Sequence, residues 1–457
     1  MSKHNLIKFL IAAMLSLSLR SEAQKFSLLY NFGGNSGDPT SPVQVTQGTD
    51  GNLYGTSPGG GTKNYGSVYR ISTSGKLSVI YNFDGSVGAS VTGSLMLGTD
   101  GNFYGATSSA GKYGNGIIFK MTPKGKLTVL HNFTGAADGG SPSAAPTEAQ
   151  PGIFYGTTDA GGADDVGTFY RITSSGKFEV LYSLGYGFPK APMLYANNHD
   201  LYVGTDIGGT NNCGEVFGMT ATGKFTLIYS LDCASGGNAD GALTQAPNGT
   251  FYGTAFGWGA HDWGAIYSLT PSGTYTDIYD FNGTSDGGGP YAGLVQATDG
   301  LFYGTASGGS INYGALYKIT TAGRFTTLHL FQKIDGEGPY GVIAQHTTGV
   351  FYGNTVSGGN GTSCQANGCG TFFSLDVGLK PFASLLPSWG KVGQKIGILG
   401  QDFEGTKRVT FNGTLAKFTV VAPTYLTAIV PAGAKTGFVN ITTHSGTLKS
   451  NKKFILK

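Results

Sequence analysis

The stretch Asp50-Gly51-Asn52-Leu53-Tyr54-Gly55-Thr56 occurs seven times in this chain, counting near copies. Its tyrosines are Tyr54, Tyr104, Tyr155, Tyr202, Tyr252, Tyr303 and Tyr352, separated by 50, 51, 47, 50, 51 and 49 residues. A fixed period of this length with strand-like content is the pattern of a propeller blade repeated around an axis.

Each repeat reads as four strands in one order. In the clearest unit they run over Gly293 to Thr298, Leu301 to Ala306, Ala315 to Thr320 and Arg324 to Phe331, with Asp299-Gly300 and Ala322-Gly323 as turns. Strands of five to eight residues joined by glycine-containing turns are meander hairpins. Third strands are marked by Tyr69, Phe119, Tyr170, Phe217, Tyr267, Tyr317 and Phe373. Fourth strands end at Phe32, Phe83, Phe133, Leu184, Leu231, Phe281 and Phe331. The phase matters. A fourth-type strand, Lys25 to Phe32, precedes the first repeat, and the last repeat stops at a third-type strand, Gly370 to Leu375. The expected fold is therefore all-β, a seven-bladed β-propeller closed by the N-terminal strand, which hides an open sheet edge. The marker tyrosines are expected to pack between blades. Tyr202-Val203-Gly204 reads as one inserted residue, and the short Gly185 to Pro189 connection as a local opening of the rim.

Residues 1–23 read as an export signal: Lys3 and Lys8, an apolar Leu6 to Leu19, then small residues before Gln24. The apolar run is short for a membrane span, and no other stretch approaches about 20 residues. Charged residues are 12% of the chain and the net charge is +3. Soluble domains usually carry roughly 25%. With no Lys/Arg patch, these values argue against a nucleic-acid binder. A secreted, extracellular or cell-surface setting is expected, with the periplasm also open. Four cysteines fall as Cys213 with Cys233 and Cys364 with Cys369. Export favours disulfides. A zinc site is the other reading, but the pairs lie in different repeats without a histidine at ligand spacing.

Two groups of residues are candidate binding sites. Connections after the fourth strand carry Asp38, Asp138, Asp240, Asp286 and Asp335. These are either a ring of oxygen acceptors at a channel mouth, open to calcium or a polar ligand, or simple turn formers. No Asp-x-Asp-x-Asp loop is present, so no metal or cofactor is assigned. The loop Trp258 to Trp263, with His261 and Asp262, either stacks on sugars or a protein partner or forms a packed lid. His131 and His329 stand where other repeats have Tyr30, Tyr81 or Tyr279, and read as structural. No nucleophile elbow, zinc-protease helix or phosphate loop occurs, so no catalytic residue is named.

The recurring phrases Asp50 to Thr56, Gly66-Ser67-Val68-Tyr69 and Ser78-Val79-Ile80-Tyr81-Asn82-Phe83 resemble the glycine-rich tandem repeats called GloVer repeats. The resemblance spans about residues 25 to 376 and implies a secreted or surface bacterial protein, without implying a reaction.

After Leu375 the repeat stops. Short alternating runs follow at Lys395 to Gly400, Arg408 to Gly413, Ala416 to Val421, Tyr425 to Val430, Phe438 to Thr443 and Lys453 to Leu456, as in a small sandwich. Pro387-Ser388-Trp389-Gly390, Val409 to Gly413 and Val430 to Ala434 resemble an IPT/TIG domain, an immunoglobulin-like module. The resemblance implies a spacer, stalk or binding accessory. The domains expected are a signal at 1–23, a propeller at 24–378 and the sandwich at 379–457.

Three functional readings follow. The leading one is an exported noncatalytic binding or scaffold protein for a polysaccharide, an envelope component or a surface protein. The second is a carbohydrate-active hydrolase or lyase with carboxylates at the channel mouth. The third is a purely structural surface protein.

Overall fold

The structure is a computed structural model that describes residues 24–364 and 367–457. The expected export signal lies outside the described residues. Those residues form strands and no α-helix. No helix among them is long and apolar enough to cross a membrane.

Seven four-stranded antiparallel sheets follow one another up to Asp376. The fifth is typical: Thr244–Gln245, Phe251–Ala255, Ala265–Leu269 and Tyr275–Asp280 pair in sequence order. In the seventh, Ala344–Gln345, Phe351–Thr355 and Thr371–Asp376 take their fourth strand from Lys25–Asn31 at the other end of the chain. The first strands are shorter than the sequence implies, only two residues in four of the sheets.

The marker tyrosines stitch sheet to sheet. Each stands beside the residue that precedes the marker tyrosine of the next sheet. Tyr54 lies 4.3 Å from Phe103, Tyr104 4.0 Å from Phe154, Tyr202 4.5 Å from Phe251, Tyr252 4.3 Å from Phe302, and Tyr303 4.5 Å from Phe351. Tyr155 and Tyr352 meet Leu201 and Leu53 in the same role. Such aromatic pairs contribute about 0.5–1.5 kcal/mol each beyond their buried area. In three of the seven repeats the tyrosine hydroxyl is satisfied locally: Tyr54, Tyr104 and Tyr303 donate to Asp50, Asp100 and Asp299 four residues earlier. That bond accounts for the aspartate at the start of those three copies.

A β-bulge recurs at the third-strand aromatic. The pairing slips between Val68 and Tyr69, and at the equivalent step in the other sheets. One extra residue bends the fourth strand there. In the first sheet the extra residue is Ile80, and its carbonyl points at Gly125 of the next sheet. A Cβ on Gly125 would lie 2.3 Å from that oxygen, and φ there is +87°. Glycine is therefore required in the third-to-fourth turn. The same carbonyl-on-glycine contact recurs at five other junctions. At the seventh junction the third and fourth strands, Thr371–Asp376 and Lys25–Asn31, are far apart in sequence and no such turn joins them. There the Gln24 side-chain amide donates to the Leu328 carbonyl instead.

One sequence reading is corrected. Tyr202-Val203-Gly204 contains no insertion, because Tyr202 pairs with Gly218 and Val203 with Phe217, as Tyr252 and Gly253 pair with Ser268 and Tyr267. Val203 has simply replaced the glycine, and Gly204 is small because a Cβ would meet the Ala239 carbonyl at 2.2 Å.

Residues 384–456 form two four-stranded sheets and a parallel pair, Trp389–Gly390 with Ile455–Leu456, over a core that includes Ile396, Phe403, Phe411, Leu426, Ile441 and Phe454. This sandwich docks on the turns that follow the first strands. Thr424 donates to the Thr49 carbonyl at 2.9 Å, Gln401 to Thr347 Oγ1 at 2.7 Å, and the Phe382 N–H to the Thr347 carbonyl at 3.0 Å. Leu399, Leu386 and Tyr425 join the core cluster of Tyr54 and Leu97. Lys457 sits 3.6 Å over the Trp389 ring, which borders Tyr195 of the fourth sheet. The first, second, fourth and seventh sheets thus all meet the sandwich at the same end.

Candidate functional site

The opposite end of the first strands carries the most varied chemistry in the molecule. Just before the first strand, or within it in the second sheet, where the strand runs over Ala89–Leu97, a buried residue is followed by one at the inner rim. The buried residues are Pro42, Val91, Pro142, Pro189, Ala239, Pro290 and Pro339. The rim residues that follow are Val43, Thr92, Ser143, Lys190, Asp240, Tyr291 and Tyr340. Neighbours along this rim touch. Thr92 donates to the Pro142 carbonyl at 3.0 Å and Ser143 to the Pro189 carbonyl at 2.8 Å. Between the seventh and first sheets, a Cβ on Gly341 would lie 1.9 Å from the Val43 carbonyl.

A second set of rim residues comes from the ends of the second strands: Pro58, Ser108, Asp159, Asp206, Phe256, Ser307 and Val356. Polar groups concentrate where the third, fourth and fifth sheets contribute. Asp159 binds Lys190 Nζ at 2.8 Å and accepts from Ser143. Asp206 accepts from the Asn238 side chain. Asp240 is 7% exposed, and its Oδ1 has no hydrogen-bond partner among the described residues. Burial, then the Asp206 charge, pushes its carboxyl up to about 7; Lys190 pulls the other way and Asp159 adds to the rise. The next rim residues are aromatic. Tyr291 packs edge-to-face with Phe256 and with Tyr340, both at 5.6 Å, and burial followed by the charge of Asp240 pushes its hydroxyl up to about 12.

The other aspartates named from the sequence sit elsewhere. Asp38, Asp138, Asp286 and Asp335 occupy a different position in the connection, and each carboxylate is engaged in its own loop. Tyr30 donates to Asp38 at 3.0 Å and Tyr279 to Asp286 at 2.9 Å, while His131 meets Asp138 at 3.0 Å and His329 meets Asp335 at 3.1 Å. Backbone N–H groups of Asn35, Thr134, Asn282 and Gln332 complete these turns. Asp38, Asp138, Asp286 and Asp335 thus share one position in their connections, and Asp240 holds another. No cluster of three His, Cys, Asp or Glu side chains able to hold a metal occurs among the described residues.

The tryptophan loop borders the rim. Trp258 is half exposed and lies on Gly237, where a Cβ would come within 2.4 Å of the indole. Trp263 is partly buried against Gly283 and Gly288. His261 and Asp262 are exposed. The two tryptophans therefore pack on successive connections. Cys213–Cys233 ties the loop of the fourth sheet to the connection that leads to Asp240, and Cys364–Cys369 closes a loop in the seventh.

Sequence reasoning missed Asp159, Asp206, Lys190, Phe256, Tyr291 and Tyr340. The available signal was the proline before the rim position in five repeats.

Solved structures resembling the chain include virginiamycin B lyase from Staphylococcus aureus, at 17% identity and a TM-score of 0.53, covering 77% of this chain and 99% of the lyase. A gluconolactonase from Xanthomonas campestris matches at 12% identity and a TM-score of 0.40, covering 64% of this chain and 90% of its own. A luciferin-regenerating enzyme matches at 10% identity and a TM-score of 0.40, covering 79% and 97%. The neighbours are propeller-like, and the likeness to the lyase concerns fold alone. No functionally curated protein matches the chain. The sequence matches the IPT/TIG domain over residues 382–454 and the Gloeobacter/Verrucomicrobia repeat over residues 16–194 and 188–414. This chain belongs to the Gloeobacter/Verrucomicrobia repeat family and ends in an IPT/TIG domain.

Proposed function

We propose that the chain is an exported, noncatalytic binding protein, secreted or held at the cell surface or in the periplasm, whose ligand is a polysaccharide or another hydroxylated envelope component. In this reading residues 1–23 are the export signal. Residues 24–378 make a seven-bladed propeller closed by the N-terminal strand, and residues 379–457 orient it. The observation that carries the proposal is the asymmetry of the two ends. The sandwich covers the turns around Thr49, Thr347 and Tyr195. The rim with Lys190, Asp240, Tyr291 and Tyr340 faces away from it. Heterogeneous hydrogen-bonding groups beside aromatic rings suit hydroxylated ligands, which present both polar edges and apolar faces. Two disulfides fit an oxidising compartment.

A second reading, a carbohydrate-active hydrolase or lyase, draws on one observation. The Asp240 carboxyl is pushed up to about 7, the range useful to a general acid. The two separate in one experiment. The purified chain from Gln24 onward is applied to a broad glycan array with and without calcium, and released products are followed for every hit. The proposal expects saturable binding without products, weakened by Tyr340→Ala and Tyr291→Ala. Binding lost only on joint Trp258→Ala and Trp263→Ala change moves the site to the neighbouring loop. New reducing ends or unsaturated products establish the enzyme instead. No binding at all refutes the glycan reading.

A further inference from the structure

Three carboxylates stand at the polar part of the rim, and two are already satisfied. Asp159 has the Lys190 ammonium and the Ser143 hydroxyl, and Asp206 has the Asn238 amide. Asp240 has neither. It is almost fully buried, Oδ1 is without a donor among the described residues, and Tyr291 holds the same position in the next sheet, with its hydroxyl within reach of the Asp240 charge. A buried carboxylate with an unpartnered oxygen is costly to ionise, so a ligand that brings a positive charge close to it gains by compensating that charge. The charge count agrees, with three carboxylates against one ammonium. The adjacent wall is aromatic: Phe256, Tyr291 and Tyr340 pack edge-to-face, and Phe256 and Tyr340 keep part of their rings in solvent. Aromatic faces next to a carboxylate are the chemistry that selects an organic ammonium ion. A metal ion fits less well, since no three ligating side chains converge among the described residues.

We propose that the rim takes an organic ammonium group, such as an amino sugar unit of a polymer carries, between the Asp240 carboxylate and the wall of Phe256, Tyr291 and Tyr340. This inference rests on the rim being the ligand site and narrows its ligand class. The groups that act on Asp240 are Asp206, Asp159 and Lys190, with the Tyr267 and Tyr291 hydroxyls also within electrostatic reach. Protonation of Asp240 near neutrality removes the countercharge, so affinity falls on acidification.

Titration calorimetry with tetramethylammonium as the probe, whose charge does not change with pH, tests this on the whole chain from Gln24 onward. Binding is expected at about pH 8 and is expected to weaken roughly tenfold or more by about pH 5.5. Asp240→Asn is expected to weaken it at least tenfold at the higher pH, and Tyr340→Ala, at an exposed position that leaves folding intact, several-fold. Glucosamine should compete with the probe and glucose should not. Equal affinity in wild type and Asp240→Asn, affinity constant across that pH range, or no probe binding overturns the inference. Neutral glycans bound at the rim while tetramethylammonium fails would overturn the ammonium assignment alone. Failure of both would remove the rim as a ligand site.

Discussion

Replacing Asp240 with asparagine is expected to stabilise the fold at alkaline pH while removing a ligand contact. The carboxyl moves from 3.8 to about 7 on folding, chiefly through burial. The folded value lies above the unfolded one, so the fold prefers the neutral form. Protonation then contributes stability that is complete below pH 3.8 and is lost as pH rises through about 7. Above that point the folded chain holds an ionised, buried carboxylate at a cost of up to about 4 kcal/mol. Asparagine has no charge to bury. It does bring an amide that finds few partners, at about 1–3 kcal/mol. The net offset is therefore small, but its pH dependence is not. Between about pH 4 and about pH 7 the variant should gain on wild type by roughly 1.4 kcal/mol per pH unit, levelling off above. Urea unfolding of both proteins across that range reads the slope directly. A stability difference that stays flat with pH would refute the reasoning, whatever its absolute size.

Other outcomes follow from the packing. Phe302 is 1% exposed and lies against Tyr252, so Phe302→Ala should cost about 3–5 kcal/mol, read by chemical denaturation; an unchanged midpoint would contradict the sheet-to-sheet role of the marker residues. The Cys213–Cys233 bridge spans 20 residues, and changing both to serine should cost about 3 kcal/mol. Reducing agent should then have little further effect on that part of the chain. Deleting residues 24–31 exposes the edge of Thr371–Asp376. Self-association by strand exchange is expected in light scattering, and a folded monomer would count against closure by the N-terminal strand.

The repeats were legible because one chemical demand recurs at one phase. A tyrosine must fill the gap between neighbouring sheets, and in three repeats an aspartate four residues earlier takes its hydroxyl. The strand from Lys25 and the pairing of the cysteines were readable for similar reasons, from order and spacing. The rim was not legible. Val43, Thr92, Ser143, Lys190, Asp240, Tyr291 and Tyr340 share a position and no chemical type, so their only mark in the sequence is the proline that precedes five of them. The chemistry there lies in what differs between repeats, whereas periodicity reveals only what is shared. Asp240 looked like Asp38, Asp138, Asp286 and Asp335 in the sequence. A different count from the fourth strand puts its side chain at the inner rim, while theirs bind Tyr30, His131, Tyr279 and His329. The supposed insertion after Tyr202 arose in the same way, because glycine moved by one place without changing the pairing.

The most direct test is a crystal structure of the chain from Gln24 onward, grown with the tightest ligand from the glycan array. The account predicts that ligand at the rim, in contact with Asp240, Tyr291 and Tyr340 and unaltered in its covalent bonds. A ligand seated on the sandwich or on the outer sheet edges, or one found cleaved, would contradict it.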